Sequence, residues 1–371
     1  MRQIRRKVSK LSVAKSAVRS LCLALCCAPV AAIAQDQSTP EFPRVGGNII
    51  FRLGYNGDYN SDPPLIETQD VFLDMIASPV FHFSERLRFN TEVRMETIVP
   101  PVDDRVFEDE GIFARILQLE YDVTDRLSIH AGKMTPDFAR ASFWVPGMFG
   151  NSYNREIELI DQVGFGGSYR FGGRGNHTLS FNTFFEDTSF TSASLINNRG
   201  GTSLEDGGAS NTESFESFAF SLEGSDIERF PGLTYNLGYV HRAQGVDGVA
   251  DENGVVVSLM QSFDTTRGEN WTLIGELAAL ENFEGSADDI VYASAGVVYR
   301  QDRWMSISSG TFRPRNVENG EDFDDDYTLQ LSVEYDLGQG WSAAIGHEWN
   351  RESGADNQTL GLRLSRVIDL G

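Results

Sequence analysis

The chain has 371 residues, 40% of them hydrophobic, and after its N-terminus no run approaches the roughly 20 apolar residues that a membrane-spanning helix needs. With 54 acidic against 31 basic residues, the net charge is −23, which makes nucleic acid an unsuitable partner. The 36 glycines and 25 phenylalanines favour strands and turns. One large all-β unit therefore fits the chain better than the two helix-containing domains usual at this length.

Residues 1–34 have the pattern of a secretory signal peptide. Seven basic and no acidic residues precede the apolar run 21–34, which ends in Ala32-Ile33-Ala34. We expect cleavage before Gln35, which would leave a cysteine-free chain with a net charge of about −30, because all three cysteines lie in this segment. Residues 35–46 are predicted to form a short N-terminal lead-in and residues 47–371 the folded unit.

From Gly46 onward the sequence repeats one pattern, about ten residues of apolar and polar alternation closed by turn residues. Sixteen candidate strands result, an even number, as in single-chain bacterial barrels. They cover residues 47–57, 68–83, 86–97, 112–123, 126–134, 159–171, 176–187, 213–224, 232–243, 253–264, 271–281, 289–300, 303–312, 326–336, 341–350 and 357–369. The predicted fold class is all-β, a transmembrane antiparallel β-barrel of about 16 strands.

Each candidate strand has one apolar and one polar face, because successive side chains point to opposite sides. In the fourteenth, Leu329, Leu331 and Val333 oppose Gln330 and Ser332. A soluble sandwich would show the same alternation with its apolar face turned inward. Alternation alone therefore leaves open which face meets water.

Aromatic residues and connection lengths favour a membrane barrel. Aromatic side chains gather at strand ends on the apolar face, as in interfacial girdles; they are Tyr55, Tyr169, Phe171, Tyr235, Tyr239, Tyr299, Tyr335, Trp341 and Trp349. Short turns such as 84–86 and 301–303 alternate with longer connections, which is typical of outer-membrane barrels with short periplasmic turns and long extracellular loops. The long connections are predicted near residues 57–67, 98–111, 135–158, 188–212, 244–252, 282–288, 313–325 and 351–356.

Acidic residues concentrate in two of the long connections: Asp103, Asp104, Glu108, Asp109 and Glu110 in one, Glu318, Glu321, Asp322, Asp324, Asp325 and Asp326 in the other. Carboxylates at an outer rim would bind divalent cations shared with lipopolysaccharide. Solubility alone explains the same charges equally well.

The connection between the fifth and sixth strands is unusually apolar for an exposed loop. Phe138, Phe143, Trp144, Met148 and Phe149 would be costly in free solvent, so we expect this connection to pack against the interior wall of its own barrel.

The chain resembles the sixteen-stranded porins of Gram-negative outer membranes. The run Gly132-Lys133-Met134-Thr135-Pro136-Asp137-Phe138 is similar to the Gly-Lys-Phe-x-Pro-x-Phe entry to the third long loop of porin-like sequences, including relatives of the phosphate-selective group. The resemblance implies that the third extracellular loop, about residues 135–158, folds inward and narrows the pore. The constriction and lumen residues would then be Asp137, Arg140, Arg155, Glu156, Glu158, Arg52, Arg88, Glu92, Arg94 and Arg170.

These observations predict a water-filled channel for passive diffusion of ions and small hydrophilic solutes, with a weak preference for cations. Opposed acidic and basic rows would set a field across the pore. No catalytic residue, metal site or cofactor is expected, because the five histidines are scattered and no nucleophile motif is found. A barrel hydrolase of lipase or esterase type and a non-conducting structural or adhesive barrel remain as alternatives.

The partners expected are outer-membrane lipid, lipopolysaccharide, ions and small solutes. By analogy with the family a homotrimer is possible. Small residues compatible with such contacts lie on the apolar face at Gly275, Ala293, Ala295 and Ala343.

Overall fold

The computed structural model describes residues 41–62, 67–98, 104–149, 155–197, 200–314 and 325–371. In these ranges sixteen long strands form one antiparallel sheet. They are β1 Arg44–Asp62, β2 Gln69–His82, β3 Leu87–Thr97, β4 Glu110–Asp122, β5 Leu127–Met134, β6 Gln162–Gly172, β7 Asn176–Glu186, β8 Ser217–Ser225, β9 Leu233–Arg242, β10 Glu252–Asp264, β11 Asn270–Glu281, β12 Ile290–Gln301, β13 Trp304–Arg313, β14 Asp326–Gly338, β15 Trp341–Glu352 and β16 Ala355–Asp369. Each of the sixteen predicted strands is confirmed, with ends that differ by a few residues.

The sheet closes on itself, because β1 pairs antiparallel with β16 as well as with β2. The register joins Ile49 to Ile368 across this seam and Leu53 to Leu364. Closure leaves no unpaired long edge, which is what a β-structure needs in order to stand in lipid. The fold is therefore the closed barrel that the alternating pattern predicted.

Burial alternates along the strands. In β11 the exposed Leu273 and Leu277 alternate with the buried Ile274, Glu276 and Ala278. The same alternation runs through β10, β12 and β14, where the exposed members of the alternation are again apolar, large in β10 and β14 and including Ala293 and Ala295 in β12. One face of the wall is thus an apolar belt, here called the outer face. The opposite face, here called the inner face, carries polar and small side chains together with buried apolar ones such as Val256 and Ile274.

Paired aromatic rings lie on the outer face at the short-turn end of the strands. Trp271 packs on Tyr299 with ring centroids 4.7 Å apart, and Trp304 packs on Tyr335 at 4.6 Å. Two of the strand-end aromatics predicted from sequence, Tyr299 and Tyr335, thus pack against Trp271 and Trp304, as expected of an interfacial girdle.

Two of the predicted boundaries that differ from the structure have a direct explanation in the strand pairing. β1 begins at Arg44, inside the predicted lead-in, because Arg44 and Val45 pair with His82 and Phe81 of β2. The connection predicted at 351–356 is a tight turn at Ser353-Gly354, both with positive φ, the geometry of a two-residue hairpin turn.

Short strands also occupy parts of the long connections: Arg105–Val106 pairs with β2, and Leu195–Ile196 pairs with the start of β4. The predicted signal peptide, most of the lead-in and the acidic residues 103, 318, 321, 322 and 324 lie outside the described residues. No helix among the described residues is long and apolar enough to cross a membrane.

Candidate functional site

The connection between β5 and β6 lies against the inner face of distant strands. We call its described residues 135–149 the anchored segment; it contains the four-residue helix α1, Ala141–Trp144. Phe138 is only 1% exposed and packs with Val240, Val256 and Leu280 of β9–β11. Asn236 of β9 donates from Nδ2 to the Phe138 carbonyl at 2.7 Å, so both backbone and side chain of Phe138 are held by the wall.

Glu276 of β11 fixes the start of α1. Its Oε2 atom accepts hydrogen bonds from the backbone amides of Arg140 at 2.6 Å and Ala141 at 2.8 Å, and from the Ser258 hydroxyl at 2.7 Å. A helix N-terminus offers amide donors without intrahelical acceptors, and a carboxylate satisfies them well. Here the carboxylate comes from the barrel wall and not from the helix's own cap residue.

The second half of the anchored segment fits into places on the wall that lack side chains. Val145 packs over Gly296, where an added Cβ would lie 3.3 Å from its methyl group. Phe149 lies over Gly346 and Gly361, where the corresponding distances to its ring are both 2.9 Å. Larger residues at these glycines would displace the segment, so the wall and the segment are shaped for each other.

A basic residue of β16 completes the attachment. Arg363 donates from Nη1 to the carbonyls of Gly147 and Met148, both at 3.1 Å, and its Nη2 lies 3.4 Å from Glu334. Contacts with the segment thus run from β9 around the wall to β16.

The returning part of the connection, residues 155–161, is held by ion pairs. Glu156 accepts hydrogen bonds from the Tyr292 hydroxyl at 2.7 Å and from Arg313 Nη1 at 2.5 Å. Burial raises the pKa of the Glu156 carboxyl above its ordinary value, against the opposing effects of the Tyr292 hydrogen bond and the Arg313 charge. Glu158 pairs with Arg115 of β4.

A chain of charges follows on β3 and β4. Arg94 lies 2.6 Å from Glu92 and 3.6 Å from Glu96, and Glu96 lies 3.7 Å from Arg155 of the connection. Arg115 reaches Glu92 at 3.9 Å. The structure therefore brings four of the predicted residues into one network with Glu96 and Arg115, here called the charged wall; they are Glu92, Arg94, Arg155 and Glu158.

The other predicted residues lie apart from this network. Asp137 and Arg140 pair with each other at 2.9 Å, and Arg140 also reaches Glu223 at 3.0 Å. Arg88 pairs with Glu120 and Asp122, and Arg170 lies 4.0 Å from the same Asp122. Arg52 stands beside Asp74 in the β1–β2 register. Glu156 instead bonds to Tyr292 and Arg313, as described above.

Sequence reasoning missed Arg115, Glu276, Asn236 and Arg363. Arg115 lies next to a bulge between β3 and β4, where the pairing shifts after Glu92, so simple alternation misplaces it. Glu276 and Asn236 were visible only as single polar residues among small or apolar inner-face positions. Nothing in their local sequence indicates that a loop more than 90 residues away supplies their partners.

The five histidines remain separate in the fold, and the described residues contain no group of three or more His, Cys, Asp or Glu that could hold a metal ion. His241 and His347 both lie on the outer face, where His347 contacts Tyr59 and Trp349.

Neither a family model nor a curated protein matches the sequence. Solved structures do match the fold. The outer membrane protein OpdK of Pseudomonas aeruginosa, solved with vanillate, is 10% identical with a TM-score of 0.55, over 88% of this chain and 98% of that one. A loop L8 deletion mutant of OmpT, an outer membrane protein of Vibrio cholerae, is 12% identical with a TM-score of 0.51, over 86% of this chain and 99% of that one.

The chain thus has the closed, sixteen-stranded fold of outer-membrane porins. At such identities the likeness concerns the fold alone. The similarity of residues 132–138 to phosphate-selective sequences and the possible homotrimer stay predictions.

Proposed function

We propose that this protein is an outer-membrane channel for passive diffusion of ions and small hydrophilic solutes, and that the anchored segment lies in its lumen. The observation that carries the proposal is the attachment of one short segment to inner-face residues of strands from β9 to β16. These strands occupy about half of a closed wall. A segment of this length reaches them all on the same face most directly by crossing the interior.

The outer belt supports the membrane location. Its residues are large, apolar and exposed around the barrel, including Leu237, Val257, Leu277, Leu331 and Leu362. An apolar surface of that extent would be unstable in water and is stable in hydrocarbon. Sixteen strands also make a barrel wide enough for an aqueous channel, whereas eight leave only room for side chains.

The route for solute in this proposal runs between the anchored segment and the charged wall. The segment packs against β9–β13 and shields that side of the wall from solvent. On the opposite side, acidic and arginine side chains of β3, β4 and Arg155 line the wall. Acidic and basic side chains along one side of a passage favour polar over apolar solutes. Since the chain as a whole is strongly acidic, we propose a weak preference for cations.

The test is single-channel recording of the mature protein in a planar bilayer under a salt gradient. Stepwise openings with a reversal potential of cation-selective sign are expected. A folded barrel that stays silent would overturn the channel, and a reversal potential of the other sign would overturn only the ion preference. OpdK was solved with vanillate, so vanillate is a suitable first solute, and a reduction of the current on its addition would extend the proposal to small carboxylates.

A further inference from the structure

The barrel wall is low at β5. With eight residues, β5 is the shortest of the sixteen long strands, whereas a membrane-spanning strand usually has about nine to eleven. Its pairing with β4 ends where Lys133 meets Leu117, so residues 110–116 of β4 extend beyond it. That extension is roughly 20 Å long. The chain turns inward after β5 to form the β5–β6 connection, and it leaves a gap in the wall, here called the notch.

The next connection along the chain covers the notch. Its residues 187–197, here called the strap, leave β7 and return to β4. Leu195–Ile196 pairs antiparallel with Gly111–Ile112 of β4, and Asn197 donates from Nδ2 to the Glu108 carbonyl at 2.6 Å. The strap therefore occupies part of the β4 edge that β5 leaves uncovered.

The strap continues the wall with the correct face outward. Gly111 lies opposite Glu96 of the charged wall, so it belongs to the inner face and its neighbour Ile112 to the outer face. Directly opposite residues of an antiparallel pair share a face, which places Leu195 beside Ile112 on the outer face. Leu195 is 70% exposed, as the apolar residues of the outer belt are.

One buried lysine joins the strap to the β5–β6 connection. Lys133, 3% exposed, is next to the last residue of β5. Its Nζ atom lies 2.8 Å from Asp187 Oδ2, 2.9 Å from Asp161 Oδ1 and 3.0 Å from the Thr191 carbonyl oxygen. Asp161 ends the β5–β6 connection, and Asp187 begins the strap. The backbone amide of Asp187 also donates to the Asp161 carbonyl at 2.8 Å, so the two connections are tied together directly as well.

The residue type fits this position. Lys133 is the only lysine after residue 34, where every other basic side chain except histidine is an arginine. A compact ammonium has three donors, which matches three acceptors around one atom, whereas a guanidinium is planar and larger. A buried ion pair adds little net stability over apolar side chains of similar size. What Lys133 provides is therefore the position of its three partners.

We infer that Lys133 is a positioning residue of the channel, which holds the strap over the notch and thereby keeps residues 155–161 in place. These residues include Arg155 and Glu158 of the charged wall. The inference rests on the proposed function, because the charged wall is taken to line the route for solute. Without the strap, the end of the β5–β6 connection would lose its support on the side of the notch.

Acetylation of the folded protein tests whether the strap covers Lys133. After removal of residues 1–34, Lys133 carries the only side-chain amine, so sulfo-N-hydroxysuccinimide acetate followed by peptide mass spectrometry reports on it alone. The unaltered protein should react slowly, and Asn197→Ala about tenfold faster, because it loses the side-chain hydrogen bonds of the strap end. Asn176→Ala, which loses a bond to Asp226 in a short turn, is the control. Equal rates in Asn197→Ala and Asn176→Ala would overturn the strap as a cover.

Single-channel recording tests the positioning role. Lys133→Met keeps the size of the side chain and removes the ammonium, so it should raise the open-channel current noise several-fold and shift the reversal potential. Adding Ile112→Cys and Leu195→Cys allows a disulfide across the strap end, because directly opposite residues have close Cβ atoms. The chain has no cysteine after residue 34. Oxidation should return the noise to that of the unaltered protein, and a reducing agent should raise it again.

A purely structural role for Lys133 predicts a different result. Folded Lys133→Met channels would then behave as the unaltered protein does, or would stay altered when the disulfide forms, and either outcome would overturn the inference. Asn197→Ala releases the strap with Lys133 in place, so its current noise decides the question if Lys133→Met does not fold. The acetylation test needs no conductance, so a failure of the strap and a failure of the channel proposal are distinguishable.

Discussion

The two sides of the inner face hold the β5–β6 connection by different means. On β9–β13 it is packed, with Phe138 and Val145 buried against apolar side chains and a single carboxylate, Glu276, closing the helix start. On β3 and β4 it is held by ion pairs through Arg115 and Glu96. Packing and buried hydrogen bonds are worth several kcal/mol. The partly exposed Glu96–Arg155 pair contributes about 1 kcal/mol or less. The Arg115–Glu158 pair is buried, and its net contribution is small because the cost of desolvation offsets the attraction. The packed side should therefore fix the position of the segment and the charged side should set which ions pass.

Removing the Phe138 ring would have the largest effect. Phe138→Ala leaves a cavity between the segment and β9–β11, which costs about 3–5 kcal/mol for a buried Phe. We expect a loosened segment, seen as higher mean conductance and stronger open-channel current noise. Phe143→Ala is the matched control, since Phe143 belongs to the same segment but is 53% exposed. Equal effects of the two substitutions would contradict the conclusion that packing against β9–β13 fixes the position of the segment.

Removing the Glu276 carboxylate should have the second-largest effect on the channel current. Glu276→Ala leaves the Arg140 and Ala141 amides without their acceptor, at a cost of about 1.5–3 kcal/mol for hydrogen bonds to a charged group. The expected result is again increased current noise. Glu276→Gln keeps an acceptor oxygen, so its current noise should lie between that of Glu276→Ala and that of the unaltered protein. Equal noise in Glu276→Gln and Glu276→Ala would show that charge and not hydrogen bonding holds the helix.

Substitutions in the charged wall should change selectivity and leave the segment in place. Glu96→Gln should move the reversal potential toward anions and Arg155→Gln toward cations, each by less than about fivefold in permeability ratio. Glu85→Gln, in an exposed turn between β2 and β3, serves as the control for a lost acidic charge. Shifts of the same sign for Glu96→Gln and Arg155→Gln would contradict a wall whose charges face the solute.

The smallest expected effect is a pH dependence at Glu156. Because burial raises the pKa of this carboxyl in the folded protein, the folded state binds its proton more tightly than the unfolded state does. Lowering the pH toward that raised pKa therefore favours the folded state with Glu156 neutral, and raising the pH removes this contribution. Urea unfolding in detergent at a series of pH values should show this trend, and Glu156→Gln should lose it.

The strands could be predicted from the sequence because each one carries its own alternation, which a barrel wall requires along its whole length. The apolar connection at 135–158 was also visible, since residues such as Phe138 and Phe149 are out of place in solvent. Its partners were not, because Asn236, Glu276 and Arg363 lie in strands that meet the segment only after the barrel closes. Arg115 could not be assigned to the inner face because a bulge shifts the alternation there. The turn at Ser353-Gly354 was not predicted because it depends on two positive φ angles that composition alone does not indicate.

The glycines under the anchored segment limit how this barrel can be engineered. Gly238, Gly296, Gly346 and Gly361 stand where Phe138, Val145 and Phe149 approach the backbone of the wall. If residues 138–149 were grafted into another barrel, side chains at the corresponding wall positions would clash with them, and the segment would not pack against the wall. A graft therefore has to include both the loop and the matching glycines on four different strands. A search for barrels of this kind can look for these glycine positions as well as for the loop.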